Sequence, residues 1–247
     1  MKRRHAILIV ALAAVGVAMV SLWPWGPRIP ALLAESLPAA CRQIVLVLAP
    51  HENSVQARLW LLERAETGGH WAVAAGPVPV TLGHNGLAWG AGEHRAEIPA
   101  GFRVKVEGDL CSPAGVFRIP FAFGTAPADG AGWLRLPYTP LTADIVGVDD
   151  PKSRYYNRIV NRAEVAPDWD SDEDMIRHGR LYEWGAFIGH NPDRVPGAGS
   201  CIFFHLWSAP GEGTAGCTAM SAEDLRTVLG WIDPAREPRL VQGLEGW

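Results

Sequence analysis

In Gln43-Ile44-Val45-Leu46-Val47-Leu48 a glutamine opens a continuous apolar run of strand length. A run with no polar face fits a strand that is covered on both sides. Working outward, Val55, Ala57, Leu59 and Leu61 alternate with Gln56, Arg58 and Trp60, the two-residue period of a half-buried strand. Residues 71–75 and the alternating stretch 101–107 read as further strands, and Asn85-Gly86 reads as a turn. Residues 116–123 are apolar but contain Pro120, which has no N–H to give to a ladder, so an edge or broken strand is expected. Ser171-x-x-Asp174 and Ser221-x-x-Asp224 fit capping boxes and predict two short helices. After the second, Leu225, Val228, Leu229 and Ile232 keep helical spacing. Residues 181–189 and 200–207 read as strands after the first helix.

Composition agrees with this reading. Gly (27) and Pro (20) together are about one residue in five of 247, which suits a turn-rich, mainly β protein and excludes a helix bundle. Residues 24–40, rich in Pro and Ala, read as a linker, and 41–247 as one domain. Setting aside Lys2, Arg3 and Arg4, the chain keeps 19 of its 22 basic residues against 26 acids, a net charge of -7. A body of that charge has no basic face for phosphates, so nucleic acid is not an expected partner. With four cysteines and no Cys-x-x-Cys pair, a zinc ribbon is excluded.

Lys2-Arg3-Arg4-His5 precedes an uncharged run over 6–23, and Trp23-Pro24-Trp25 closes it. Eighteen helical residues would extend about 27 Å, close to the hydrocarbon thickness of a bilayer. A basic flank before such a run keeps the N-terminus inside and sends the rest of the chain across the membrane. The expectation is a signal-anchor at 1–23 that holds a periplasmic body at the inner membrane, or a signal peptide that is removed.

Two elements carry chemistry. Gly199-Ser200-Cys201-Ile202-Phe203-Phe204-His205 is an apolar strand ending on a histidine, and Thr214-Ala215-Gly216-Cys217-Thr218-Ala219-Met220 is a small-residue loop around a cysteine. A thiol beside an imidazolium drops from about 8.5 into roughly the 3.5–7.5 range and becomes a nucleophile for acyl transfer. Cys217 is the candidate nucleophile and His205 its base. The amides of Gly216 and Cys217 are candidate donors to a developing oxyanion.

This stretch resembles the catalytic segment of the L,D-transpeptidases (the YkuD domain), in which a His is followed by a Ser-x-Gly-Cys-[Ile/Val]-Arg loop. Further motifs, in the same order, resemble one branch of that family: Gly83-His84-Asn85-Gly86-Leu87-Ala88-Trp89-Gly90, then Glu107-Gly108-Asp109 with Ser112-Pro113-Ala114-Gly115-Val116-Phe117, then Val148-Asp149-Asp150-Pro151 with Tyr155-Tyr156-Asn157-Arg158. The resemblance runs from about residue 42 to the C-terminus. It implies a β-sandwich with a few short helices, and an exported enzyme that cross-links peptidoglycan stem peptides. Cys217 would form a thioester with one stem and pass the acyl group to a diaminopimelate amine of another. His205 would be oriented by a backbone carbonyl, with no acidic third member. Thr214 stands where the family has Ser and keeps the hydroxyl. Ala219 stands where the family has Arg, so either another cation such as Arg154 or Arg158 serves, or a different stem bond is cut and a 1-3 link replaces the usual 3-3 link. Water in place of the amine would make a carboxypeptidase or endopeptidase, and an idle wall-binding module is the non-enzymatic alternative. None of these readings calls for a metal or an organic cofactor.

Tyr156, Asn157, Arg158, Trp207 and Thr214 are the candidate substrate-binding residues. Asp149 and Asp150 are candidates to bind the amine of an incoming diaminopimelate, but Asp150-Pro151 also reads as a turn initiator, and the turn is the favoured reading. Asp168, Asp170, Asp172 and Asp174 imitate a calcium loop, but Glu173 replaces its sixth-position Gly and Gly179 its final Glu, so a solvated loop is expected. Cys41 and Cys111 are the preferred pair for a disulfide, with Cys201 reduced on a buried strand.

Overall fold

The 43–48 run becomes β1 (Gln43–Ala49), buried at every one of its seven positions. A computed structural model describes residues 26–247, and the basic and apolar segment at 1–23 lies outside the described residues. In chain order the other strands are β2 (Gln56–Glu63), β3 (Ala72–Thr81), β4 (Leu87–Trp89), β5 (Ser112–Arg118), β6 (Ala122–Gly124), β7 (Tyr138–Pro140), β8 (Ile145–Val148), β9 (Arg158–Asn161), β10 (Asp172–Asp174), β11 (Gly185–Phe187), β12 (Phe203–Leu206), β13 (Thr218–Met220) and β14 (Arg239–Leu244). Two α-helices, α1 (Ala31–Ala34) and α2 (Ala222–Trp231), accompany them. The protein is mainly β: a large mixed sheet in the order β4-β5-β14-β1-β2-β3-β13-β12-β11-β6-β7, and a small sheet β10-β8-β9. Among the described residues no helix is long and apolar enough to cross a membrane.

β1 pairs with β14 on one side and β2 on the other. Each fully buried Ile, Val or Leu there contributes about 1.5–3 kcal/mol. The alternation read at 55–61 appears in β2, whose outward Gln56 and Arg58 bracket the buried Ala57. Pro120 breaks the 116–123 stretch between β5 and β6, as its missing N–H requires. Ser221 caps α2 by accepting from the Asp224 N–H at 3.1 Å, and the helix buries Leu225, Val228 and Leu229.

Four expectations need correction. The alternating 101–107 stretch forms no strand beyond a bridge of Val104 to Trp89. Its polarity is inverted, with Val104 54% exposed and Lys105 only 4%, because Lys105 turns inward to bond Asp109. Ser171 caps no helix; its hydroxyl donates to Asp149 at 2.6 Å, and 172–174 pair with β8 instead. The next turn is a 3-10 helix, Met175–Tyr182, capped by Asp174. The stretch 24–40, read as a linker, is docked from Ile29 onward: Leu33 is fully buried in the main core and the Ala31 N–H donates to the carbonyl of Trp247 at 3.1 Å.

Finally, all four cysteines are free and buried. Cys41 precedes β1 at the end where Ile44, Arg239 and Arg118 lie side by side, whereas Cys111 precedes β5 at the opposite end. Seven residues of strand between Arg118 and Cys111 span about 23 Å, far beyond the roughly 7 Å that a disulfide tolerates between Cα atoms. The protein unfolded without reductant should therefore titrate four thiols per chain with an aromatic disulfide reagent; a count of two would show a bridge.

Candidate active site

β12 and β13 run parallel, with Phe204 opposite Thr218 and His205 opposite Ala219. Paired residues share a face, and Cys217 lies two positions before Ala219, so Cys217 and His205 are on one face of the sheet. One strand spacing and one two-residue step put their Cα atoms on the order of 8 Å apart. Both line a single cleft of about 320 Å³, together with Thr214, Gly216 and Trp207.

The loop before Cys217 is clamped through the cysteine's own carbonyl. That oxygen accepts from Thr214 Oγ1 at 2.6 Å and from Ser112 Oγ at 3.0 Å. Ser112 in turn accepts from the Gly83 N–H at 2.9 Å, and the His84 N–H donates to the Thr214 carbonyl at 2.9 Å. The turn at 83–86, the start of β5 and the cysteine loop are thus one hydrogen-bonded unit. Gly216 has φ +147°, and a Cβ there would stand 3.0 Å from the Cys111 carbonyl oxygen, so both backbone and space call for glycine. The Gly216 N–H donates to Thr214 Oγ1 at 3.1 Å. One of the two amides expected from the sequence to face an oxyanion, that of Gly216, is therefore engaged, and the N–H groups of Ala215 and Cys217 are bonded to no described residue.

The Cys217 thiol lies on the cleft floor, where Sγ accepts from the Phe203 N–H at 3.3 Å. His205 Nδ1 bonds the Leu206 carbonyl at 2.7 Å. A carbonyl only accepts, so Nδ1 carries the proton and the Nε2 lone pair is left for use as a base. Desolvation dominates both groups. Burial pushes the Cys217 thiol well above its ordinary value, and the Glu173 carboxylate pushes it the same way. Burial also lowers His205 to about 4, against the pull of the Leu206 carbonyl. The thiolate–imidazolium pair expected from the sequence is not the resting state; thiol and imidazole are both neutral at pH 7, and no hydrogen bond joins them.

The other sequence candidates divide. Thr214 and Trp207 line the cleft, whereas Tyr156, Asn157 and Arg158 do not. Tyr156 is behind the wall: its hydroxyl donates to Glu107, a lining residue, and accepts from the Gly199 N–H at 3.1 Å. Asn157, at φ +57°, is buried; its amide donates to the carbonyls of His190 (2.8 Å) and Asn191 (3.0 Å), and its oxygen accepts from the Cys201 N–H at 3.0 Å. It holds the approach to β12 through Cys201, a lining residue, and does not itself line the cleft. Arg158 is exposed on β9, and Arg154 pairs with Asp168 and covers the Tyr155 ring. Neither lines the cleft. Ala219 is fully buried between His205 and Thr81.

The cation that lines the cleft is Lys105, which the sequence reading passed over. Its signal was a lysine flanked by two valines in an alternating stretch. Glu173, Tyr182 and His178 were missed as well. Tyr182 donates to Glu173 Oε1, His178 Nε2 stands 3.3 Å from the same oxygen, and the Tyr182 ring lies edge-on to His205 at 5.3 Å. Among the described residues no group of three or more His, Cys, Asp or Glu is placed to hold a metal ion.

His205 makes a testable case of linkage. Its folded value lies below the unfolded 6.5, so the unfolded chain takes up the proton first. The stability linked to this residue is complete above about 6.5 and is lost as pH falls towards 4. An NMR titration of the imidazole should find its midpoint near 4; a midpoint near 6.5 would show an exposed ring. In comparisons with known proteins, no family model, no curated protein and no solved structure matches this chain.

Proposed function

We propose that the protein is a cysteine acyltransferase of the L,D-transpeptidase type, built on a YkuD-like β-sandwich and acting on peptidoglycan stem peptides. The observation that carries this reading is the cleft itself: a thiol and an imidazole with a fixed tautomer on adjacent parallel strands, with the nucleophile's backbone locked by two hydroxyls. The quoted motifs add support. Segments 83–86, 112–117 and 214–217, far apart in the chain, are bonded together around Cys217. The basic and apolar N-terminal sequence supports a periplasmic place for the body, next to the inner membrane.

In this mechanism the stem carbonyl enters beside Cys217, whose rotation brings Sγ towards His205 Nε2. His205 takes the thiol proton as Sγ attacks and gives it to the leaving amine. The Cys217 N–H faces the developing oxyanion, an interaction whose loss costs roughly 3–4 kcal/mol. Because both groups begin neutral, no buried charge must be carried in the free enzyme.

One observation favours an altered bond register. Lys105 Nζ is already engaged by Asp109 and, at 3.1 Å, by the Val106 carbonyl, so the lining cation is neutralised where it stands. A donor held by a terminal carboxylate would find no free cation at this wall, and a cut at another stem bond, giving a 1-3 link, needs none. The connectivity of cross-linked dimers, read by mass spectrometry, separates this from an ordinary 3-3 product.

Incubated with a carbapenem, the wild-type chain should gain the mass of one acyl adduct on Cys217. Cys217→Ala should gain none and should form no cross-linked muropeptide; an adduct or product that persists in this variant would remove the mechanism, and loss in Cys201→Ala alone would name the wrong thiol. His205→Ala should slow acylation at neutral pH by two to three orders of magnitude, on the scale of a lost general base. Equal rates in His205→Ala and wild type would take the imidazole out of the reaction.

A further inference from the structure

The acyl-transfer reading leaves a proton unassigned. In the first half, the thiol proton passes through His205 to the leaving amine. In the second half the attacking amine arrives as an ammonium, since a primary amine is protonated at neutral pH. Its nitrogen must lose two protons to become an amide. One returns to the Cys217 sulfur through His205 as the C–S bond breaks. The other has to leave before attack, because a protonated nitrogen has no lone pair, and His205 cannot hold both.

We propose that Glu173 is the base that takes this first proton, and that the cleft is built for an ammonium-bearing acceptor; this rests on the acyl-transfer reading above. Glu173 lies on β10, on the far side of Tyr182 from His205, and lines the same cleft as Cys217. Its Oε1 is held by the Tyr182 hydroxyl and faces His178, whereas Oε2 has no bonded partner among the described residues. The side chain keeps 21% exposure, enough to meet a ligand. Tyr182 touches both bases, the carboxylate through its hydroxyl and the imidazole through its ring edge.

The surroundings fit the same ligand. Glu107, Asp149 and Glu212 also line the cleft, against Lys105 and His178. Glu107 is bonded by Tyr156 and Ser200, Asp149 by Ser171 and Glu212 by Ser208, whereas Lys105 is engaged by Asp109. An ammonium entering this wall meets net negative charge; Glu107, Asp149 and Glu212 each keep one oxygen unbonded among the described residues as Glu173 does, and Glu173 is the one of the four whose hydrogen-bond partner, Tyr182, also packs on His205. Burial raises the Glu173 carboxyl to about 7, close to the working range of a general base at neutral pH. The step balances: the thioester and the ammonium give the amide, the Cys217 thiol and one proton on Glu173, which then passes to water.

The test separates the two halves on the full chain. Glu173→Gln keeps a group that can accept from Tyr182 but cannot take a proton. With a disaccharide-tetrapeptide donor, acylation of Cys217 should be retained or quickened, because a negative charge is removed from beside the thiol. Transfer to a diaminopimelate amine should fall by about 100-fold or more, and the thioester should partition to water. Hydroxylamine, already neutral at the assay pH, should be acylated equally well by wild type and variant, which excludes a general collapse of the cleft. An unchanged ratio of amine transfer to hydrolysis in Glu173→Gln would overturn the role, as would an equal loss with hydroxylamine. Absence of any thioester on wild-type Cys217 would remove the acyl-transfer reading and this role with it.

Discussion

The parallel pairing of β12 with β13 is the constraint from which the cleft arises. Antiparallel neighbours can be joined by a two-residue turn, but parallel neighbours cannot, because the chain must return to the starting end of the sheet. Residues 207–217 make that return here. The segment leaves the end of β12 at Trp207 and re-enters at Cys217, at the start of β13. It therefore passes over the face that carries His205 and becomes the cleft wall. The diagonal offset of Cys217 and His205 is a product of the same geometry, since one sits near the end of its strand and the other just before its own.

Burial then sets the electrostatics. The cleft floor is part of a small apolar cluster with Phe123, Phe187, Phe203 and Tyr182. In such surroundings the charged forms of thiol and imidazole are both disfavoured, so the pair rests neutral. The polar work is moved to the backbone: a carbonyl orients the imidazole, an amide supports the sulfur, and two hydroxyls fix the nucleophile's carbonyl. Charge is confined to the rim, where Glu107, Asp149 and Glu212 each accept from a neighbouring hydroxyl and Lys105 is paired with Asp109.

Elements whose own residues decide their burial were legible in the sequence. The apolar run of β1, the alternating β2, the break at Pro120 and the capped α2 need only local pattern to be recognised. Cys217, His205, Thr214 and Trp207 were legible because one loop and one strand bring them together. The failures are places where a side-chain partner overrides the local pattern. Lys105 is inward because Asp109 neutralises it, which turns Val104 and Val106 out and abolishes the strand. Ser171 is taken from its helix by Asp149. Tyr156 and Asn157 are near the site in space but face away from it, and side-chain direction is not written in a motif. Glu173 looked like one more acid in a solvated loop, because nothing local announces its contact with Tyr182 across the small sheet.

The docking of the segment around α1 bears on reach. Fifteen free residues over 26–40 would behave as a coil with an end-to-end distance of roughly 20 Å and a full extension of about 50 Å. With Ile29, Leu32 and Leu33 packed on the core, residues 26–28 are the ones left ahead of the body among the described residues, about 10 Å long when taut. The stretch from Ile29 onward thus adds to the body rather than to its reach, and the cleft keeps a fixed place relative to Ile29. Inserting a few residues before Ile29 would lengthen the chain ahead of the body without disturbing the fold.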